Sequence, residues 1–315
     1  MNIVITACNG FIGRALTKRL PDHCRLVELS AHPFPLPSHP ALRSVERPIS
    51  QLTTEDAAKF FDGEKFALVH LAWHSPREKT SAVAASHVQD MAHLLEVTKD
   101  RLTHFVSLGS ADEFGNREGK ITADAAASGV LSPYGWGKRS AASLLANFAM
   151  STDMTAFWLR PFTVYGEQHY GSMLLPYAVA EARARRDAYF SDGLQQRDFI
   201  HVDDVVEAIW LALNYKAAGF HALNLGWGEP VEIRKVLLEI ARRLDAESLF
   251  NLGAIKRRID EPMIRYADTT AARSVLGWQP RITLMAGLDR LVADEANDVL
   301  VAYAESRRAA NARHG

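Results

Sequence analysis

What the sequence has little of narrows the reading first. Two cysteines, Cys8 and Cys24, occur in 315 residues, too few for a disulfide framework, and they point to a reducing compartment, the cytoplasm. No apolar run approaches the roughly twenty residues of a membrane span, and no targeting leader is read at the start. The net charge of −1 provides no broad basic field for nucleic acid. The 12 histidines show no metal-ligand spacing, which argues against a metal hydrolase. No repeat or low-complexity tract is seen. What remains, 48% hydrophobic residues, suits one large domain or two intimate ones.

The chain opens with a short apolar, partly β-branched run, Asn2 to Ala7, that predicts a buried strand. Cys8-Asn-Gly10-Phe-Ile-Gly13 follows, then a helical stretch from Arg14 to Leu20 stopped by Pro21. Strand, glycine turn and helix form the context of a dinucleotide site. Gly10 lets backbone approach a pyrophosphate, Gly13 lets helix and strand pack closely, and the helix N-terminus offers amides to the phosphates. Ala7 stands where the first glycine is usual. A second strand, Arg25 to Ser30, ends on Ser30 rather than on the carboxylate that normally holds the adenosine ribose. That loss favours NADP over NAD, with His32, Arg14 and Arg43 as candidates for a 2′-phosphate. The Pro-rich segment from His32 to Pro40 reads as a loop.

Further strands are predicted at 66–71, 103–108, 154–159 and 221–225, alternating with helices at 82–98 and 134–150. Such alternation predicts a doubly wound parallel sheet of Rossmann type, with ligands at the carboxyl ends of its strands. The expected division is a cofactor domain, 1–165 plus about 201–227. A smaller, discontinuous α/β substrate lobe takes about 166–200 and 228–300, and 301–315 is a tail. The ligand site is expected between the two.

Tyr134 and Lys138 lie four apart, hence on one helix face a turn apart. A cation there favours the phenolate, so Lys138 is expected to lower the pKa of Tyr134 toward working pH. Ser110, just past a strand, can donate to a carbonyl oxygen or the alkoxide developing there. Ser107 is the rival that merely caps a turn.

On these residues the chain resembles the extended short-chain dehydrogenase/reductase family, the NAD-dependent epimerase/dehydratase group acting on nucleotide sugars. The resemblance rests on Gly10-Phe-Ile-Gly13, His70-Leu-Ala-Trp73, Ser110 to Gly115 and Tyr134 to Lys138. Leu159 to Gly166, Arg197 to Asp204, Ala267-Asp-Thr-Thr and Leu276 to Pro280 extend it. It implies a triad of Ser110, Tyr134 and Lys138, with Lys138 also holding the nicotinamide ribose. The implied cofactor contacts are Ala7, Gly10, Phe11, Ile12, Gly13, Ser30, Leu71 and Ala72, beside Tyr134 and Lys138. For a nucleotide-sugar substrate they are Trp73, Ser110, His169 and Arg197. Arg197 faces the diphosphate, and an arginine of Lys256-Arg257-Arg258, with Arg258 the candidate, completes that grip. The alternative for Arg197 is a salt bridge to Asp198 or Asp203. A homodimer through the helices at 82–98 and from 134 is also implied, with alanines at 82, 84, 85, 141 and 142 allowing close approach. Trp73, Trp136 and Trp158 are expected in core or pocket wall, and Tyr165 and Tyr170 near the sugar.

Related 4,6-dehydratases carry Thr-Asp-Glu-x-Tyr-Gly where this chain has Ser110-Ala-Asp-Glu-Phe-Gly115. Their acidic aspartate is Ala111 here and their glutamate is Asp112, which argues against dehydration. Asp112 is a candidate base with His169 as partner, as in enzymes that epimerise two carbons. The features resemble 4-ketoreductases of nucleotide-linked 4-keto-6-deoxy sugars most, then 4-epimerases that retain NAD. A redox-sensing protein of the same fold is the reading from another class, and an intact Ser110, Tyr134 and Lys138 set argues against it.

Overall fold

The computed structural model describes residues 1–31, 37–73, 80–169, 173–258 and 261–294. In chain order, the first part contains β1 (Asn2–Thr6), α1 (Phe11–Arg19), β2 (Arg25–Ser30), β3 (Leu42–Glu46), α2 (Thr54–Lys59) and β4 (Phe66–His70). Then come α3 (Ser81–Thr98), β5 (Leu102–Leu108), β6 (Gly119–Ile121), α4 (Pro133–Met150), β7 (Thr155–Pro161) and β8 (Thr163–Tyr165). The chain continues through α5 (Leu174–Arg183), β9 (Ala188–Phe190), β10 (Gln196–Arg197), β11 (Phe199–His201), α6 (Val202–Leu213) and β12 (Gly219–Leu225). It closes with β13 (Val231–Glu232), α7 (Ile233–Arg243), β14 (Phe250–Leu252), β15 (Ile264–Ala267), α8 (Thr270–Leu276) and α9 (Leu284–Ala293).

Seven parallel strands form the main sheet in the order β12-β7-β5-β4-β1-β2-β3. Its inner strands are buried on both faces, which is why they read as near-continuous apolar runs. The order reverses at β1, between β2 and β4, the place where such sheets open a crevice for ligands. Core side chains on the two faces include Ile3, Ile5, Leu16 and Ile209 on one, and Val4, Leu68, Leu94 and Leu145 on the other.

Strand β3 was not foreseen. It is polar and half exposed, at the sheet edge, and becomes a strand through pairing with β2. The smaller sheet runs β13-β10-β15-β6. Thus β6, from the range expected to be wholly cofactor domain, pairs in parallel with β15. A third core, with Leu175, Phe190, Leu237 and Leu288, lies beneath α5, α7 and α9. Tyr165 belongs to that core, 1% exposed, its hydroxyl reaching the Leu284 carbonyl at 3.3 Å. It is therefore a packing residue and not a wall of the sugar site.

Helices α3 and α4 pack on each other. Ala84, Ala141 and Ala142 are buried there, and a Cβ on Gly137 would come within 3.0 Å of the Ala84 Cβ. These small residues serve packing within the chain. Trp158 is fully buried, whereas Trp136 is 43% exposed on α4 and so is neither core nor pocket wall.

Two carboxylates of the Arg197 to Asp204 stretch hold the parts together. Asp198 accepts the amides of Trp227, Gly228 and Ala267 at 2.6, 3.0 and 2.9 Å, and burial pushes its pKa up to about 6. Asp204 accepts those of Arg281 and Ile282 at 2.9 and 3.0 Å. Buried carboxylates persist where several amides replace their lost water.

Candidate functional site

The Thr6 hydroxyl, at the end of β1, accepts the amides of Leu71 and Ala72 at 3.0 and 2.9 Å and lies 3.1 Å from the His70 Nδ1. This knot fixes the loop after β4 beside the glycine turn. Ala7 there adopts φ 57°, the left-handed region that glycine occupies without strain. The missing glycine therefore stood at a position that calls for one. A Cβ on Gly13 would lie 2.3 Å from the Ala7 carbonyl oxygen and 2.6 Å from the Cys8 Cα, so no larger residue fits. Gly10 caps α1 without a side-chain hydrogen bond, which leaves the first-turn amides to the cavity in front. These residues fit a dinucleotide pyrophosphate on grounds of space and of dipole.

A cavity of about 510 Å³ opens there. Ala7, Gly10, Phe11, Ile12, Gly13, Leu71, Tyr134 and Lys138 line it, together with Trp73, Ser110, Asp112, His169, Arg197 and Arg265. A second cavity of about 490 Å³ shares Ala7 and Trp73 with it and is lined by Ser30, Ala72, His70, His87 and Asp90. Every expected cofactor residue thus lines one cavity or the other. Arg14 and Arg43 line neither. Arg14 donates to the carbonyls of Asn9 and Gln168, and Arg43 to those of Lys59 and Phe60. His32 and Tyr170 lie outside the described residues.

Ser110 caps the short 3-10 turn Ala111–Phe114, its hydroxyl accepting the Asp112 amide at 3.1 Å. It lines the main cavity together with Tyr134. Ser107 instead donates to the His70 carbonyl at 2.8 Å, so it is the structural serine of the pair. Lys138 donates to the Leu108 carbonyl at 2.7 Å, and its ammonium lies 4.0 Å from the centre of the Trp73 ring. Trp73 in turn stacks on His87.

The expected lowering of the phenol pKa by Lys138 is not met. Burial, then the Asp112 charge, hold Tyr134 above its ordinary value, against the pull of the Ser110 hydrogen bond. Burial also brings Lys138 down to about 7, which takes away much of the cation that was to do the lowering.

Glu113 was overlooked. Fully buried, it accepts the Ser110 amide at 2.8 Å, the Trp158 indole at 2.9 Å and the Arg160 guanidinium at 2.7 Å. It fixes the turn that aims Ser110 at the cavity. A Cβ on Gly109 would fall 2.3 Å from its carboxylate. The sequence signal was the Ser-x-x-Glu capping pattern from 110 to 113.

Arg197 is buried and ion-paired to Glu261 at 2.7 Å. The carboxylates expected as its rivals have other partners, Asp198 the amides above and Asp203 the Arg290 side chain at 3.2 Å. The second arginine in the main cavity is Arg265, opposite Arg197 in the register of β10 and β15. Burial, then the Arg265 charge, lower the Arg197 pKa. Arg258 lines a different cavity, of about 550 Å³, with Lys256, Arg257 and Glu261. Only the pairing of β10 with β15 reveals Arg265, and no local motif carries it.

Asp112 and His169 share the cavity, but Asp112 pairs with Arg265 at 2.9 Å. The His169 ring lies flat on Phe11, centroids 4.0 Å apart and planes 4° apart, with Nδ1 buried and no partner among the described residues. Burial brings its pKa down to about 4, so the ring is neutral near pH 7.

Residues 3–226 match the NAD dependent epimerase/dehydratase family. The chain is 25% identical over 312 residues to the uncharacterized UDP-glucose epimerase YtcB of Bacillus subtilis (strain 168), covering 93% of this chain and 97% of that protein. It is 30% identical over 142 residues to the CDP-abequose synthase of Salmonella muenchen, 45% of this chain and 48% of that one. MoeE5 in complex with UDP-glucuronic acid and NAD superposes with a TM-score of 0.82 at 27% identity, covering 93% of this chain and 98% of that one. Fold, glycine turn and triad agree with this likeness, and the chain belongs to the NAD-dependent epimerase/dehydratase family of extended short-chain dehydrogenases/reductases.

Proposed function

We propose that the chain is a nucleotide-sugar 4-epimerase working with retained NAD. The observation that carries this reading is a single proton-transfer set in the main cavity. Ser110, Tyr134 and Lys138 line it together, the Lys138 ammonium 5.8 Å from the centre of the Tyr134 ring. Ala111 occupies the place of a dehydratase's acid, and Asp112 is engaged by Arg265. That equipment suits reversible oxidation of one hydroxyl-bearing carbon and offers no separate acid to expel water.

Bound NAD supplies a carbon that accepts and returns a hydride. Tyr134 takes the proton from the sugar hydroxyl and gives it back, while Ser110 hydrogen-bonds the oxygen as it becomes a carbonyl. In this reading Arg197, which lines the cavity, holds the diphosphate end. A ring free to present its other face between the two hydride steps leaves with C4 inverted.

NAD in place of NADP is supported by the second cavity. Among its described lining residues are Asp90 and no lysine or arginine, a poor setting for an extra phosphate. The 4-ketoreductase reading is favoured by the likeness to CDP-abequose synthase and differs in needing net reductant. The expected homodimer through α3 and α4 belongs with either reading and is checked by analytical ultracentrifugation.

The deciding experiment incubates the protein with nucleoside diphosphate hexoses and follows both the sugar products and nicotinamide absorbance. Conversion to the C4 isomer without net absorbance change is expected. Stoichiometric consumption of NADPH with a 4-keto-6-deoxyhexose substrate would replace the epimerase reading by the reductase.

A further inference from the structure

The pair Asp112 and Arg265 occupies a particular part of the main cavity. The Arg265 guanidinium reaches the carbonyls of Ala111 and Gly115, both at 3.4 Å, and the Asp112 carboxylate at 2.9 Å. It therefore spans the turn that begins at Ser110, beside the group that meets the reacting hydroxyl. Arg197, its neighbour in register, donates instead to the Gln196 carbonyl and to Glu261.

Charge around the substrate end is nearly balanced. Lys138, Arg197 and Arg265 stand against Asp112 and Glu261, a surplus of one cation at most. A diphosphate, with a charge on each phosphorus, already exceeds it. A further carboxylate, on the sugar carbon that adjoins the ring near C4, would meet Asp112, whose side chain is 37% exposed. A hydroxyl at that place has both partners it needs, because Asp112 accepts and Arg265 donates.

Resting on the nucleotide-sugar reading above, we propose that the Asp112–Arg265 pair restricts the substrate to neutral sugars and rejects uronates. Asp112 is the discriminating residue. It turns Arg265, otherwise a ready two-point carboxylate grip, into half of a neutral hydroxyl reader. Discrimination of this kind works through the repulsive element as much as the attractive one.

The test is isothermal titration of the whole protein with UDP, UDP-glucose and UDP-glucuronate. UDP alone reports on the nucleotide reading. The two sugars share that nucleotide, so their ratio isolates the carboxylate. UDP-glucuronate is expected to bind about tenfold or more weakly than UDP-glucose, since like charges brought together in a cavity are strongly unfavourable. Asp112→Asn should close that gap to within about threefold or reverse it, because the freed Arg265 then takes the carboxylate. In wild type the gap should also narrow as salt is raised, a readout independent of the variant's folding. Equal or tighter binding of UDP-glucuronate by wild type overturns the proposal, as does a gap untouched by salt and by Asp112→Asn. Either result, with UDP still bound, leaves the epimerase reading standing. Failure of all three ligands to bind overturns the proposal as a property of a uridine nucleotide-sugar site, and leaves the epimerase reading to its own test with the other nucleoside diphosphate hexoses.

Discussion

The two cavities at the carboxyl edge of the main sheet are lined on opposite plans. The first carries Asp112, Lys138, Arg197 and Arg265, each held by a named partner: an ion pair for three of them, the Leu108 carbonyl for Lys138. The second has Asp90 as its one lysine-, arginine-, aspartate- or glutamate-type residue among the described lining, amid small and apolar side chains. Chemistry demands charges at fixed positions, and each such charge must be tied down before it can be buried. In the proposed assignment the second cavity takes the adenosine end, which is recognised by shape with charge kept away.

This contrast can be broken at several points. The largest effect is expected from Tyr134→Phe, which removes the proton carrier of the first cavity and should lower kcat by about 10²- to 10⁴-fold. NAD affinity, measured by titration, should hardly move, and a pure sensor would show no functional loss. Next comes Glu113→Ala, which strands the Arg160 charge and the Ser110 amide in a dry interior. Chemical denaturation should show a loss of about 3–5 kcal/mol, and a loss below about 1 kcal/mol would mean the turn is held by other means. In the second cavity, wild type should bind NAD more tightly than NADP, and Asp90→Asn should narrow that preference about tenfold. An unchanged ratio of dissociation constants would erase the contrast at that end. Smallest is Ala7→Gly, at the residue shared by both cavities. Relief of its left-handed φ should raise stability by about 1 kcal/mol or less in thermal melts, part of the gain being offset by glycine's greater freedom when unfolded.

The elements most legible in the sequence were those whose burial is two-sided. Strand β2 spans Arg25–Ser30 as read, and α3 and α4 each begin one residue before the expected start. The close approach at Gly13 and the meeting of Tyr134 and Lys138 in one cavity were legible because tight packing and a one-turn spacing leave local marks. Strand β3 left none, since its half-exposed residues become a strand through the neighbour they pair with. Arg265 was missed for a like reason: the motif on β10 pointed to Arg197, but its companion is set by register with a strand far along the chain (Arg197↔Arg265). The pKa of Tyr134 was misjudged because spacing announces the nearby amine and is silent on burial, which outweighs it.

The Thr6 knot carries one more consequence, in the proton inventory of the cavity wall. A hydroxyl has two lone pairs and one hydrogen. The amides of Leu71 and Ala72 take the lone pairs, so the hydrogen goes to the His70 Nδ1. That nitrogen is then the acceptor, and with burial bringing the imidazole pKa down to about 3, the ring is neutral with its proton on Nε2. The buried Nε2 has no partner among the described residues. Imidazole nitrogen shifts in an NMR spectrum should show this tautomer throughout the neutral range, and the opposite one would mean that Thr6 points its hydrogen elsewhere. Through a single threonine, the end of the first strand dictates on which side a histidine in the middle of the sheet carries its proton.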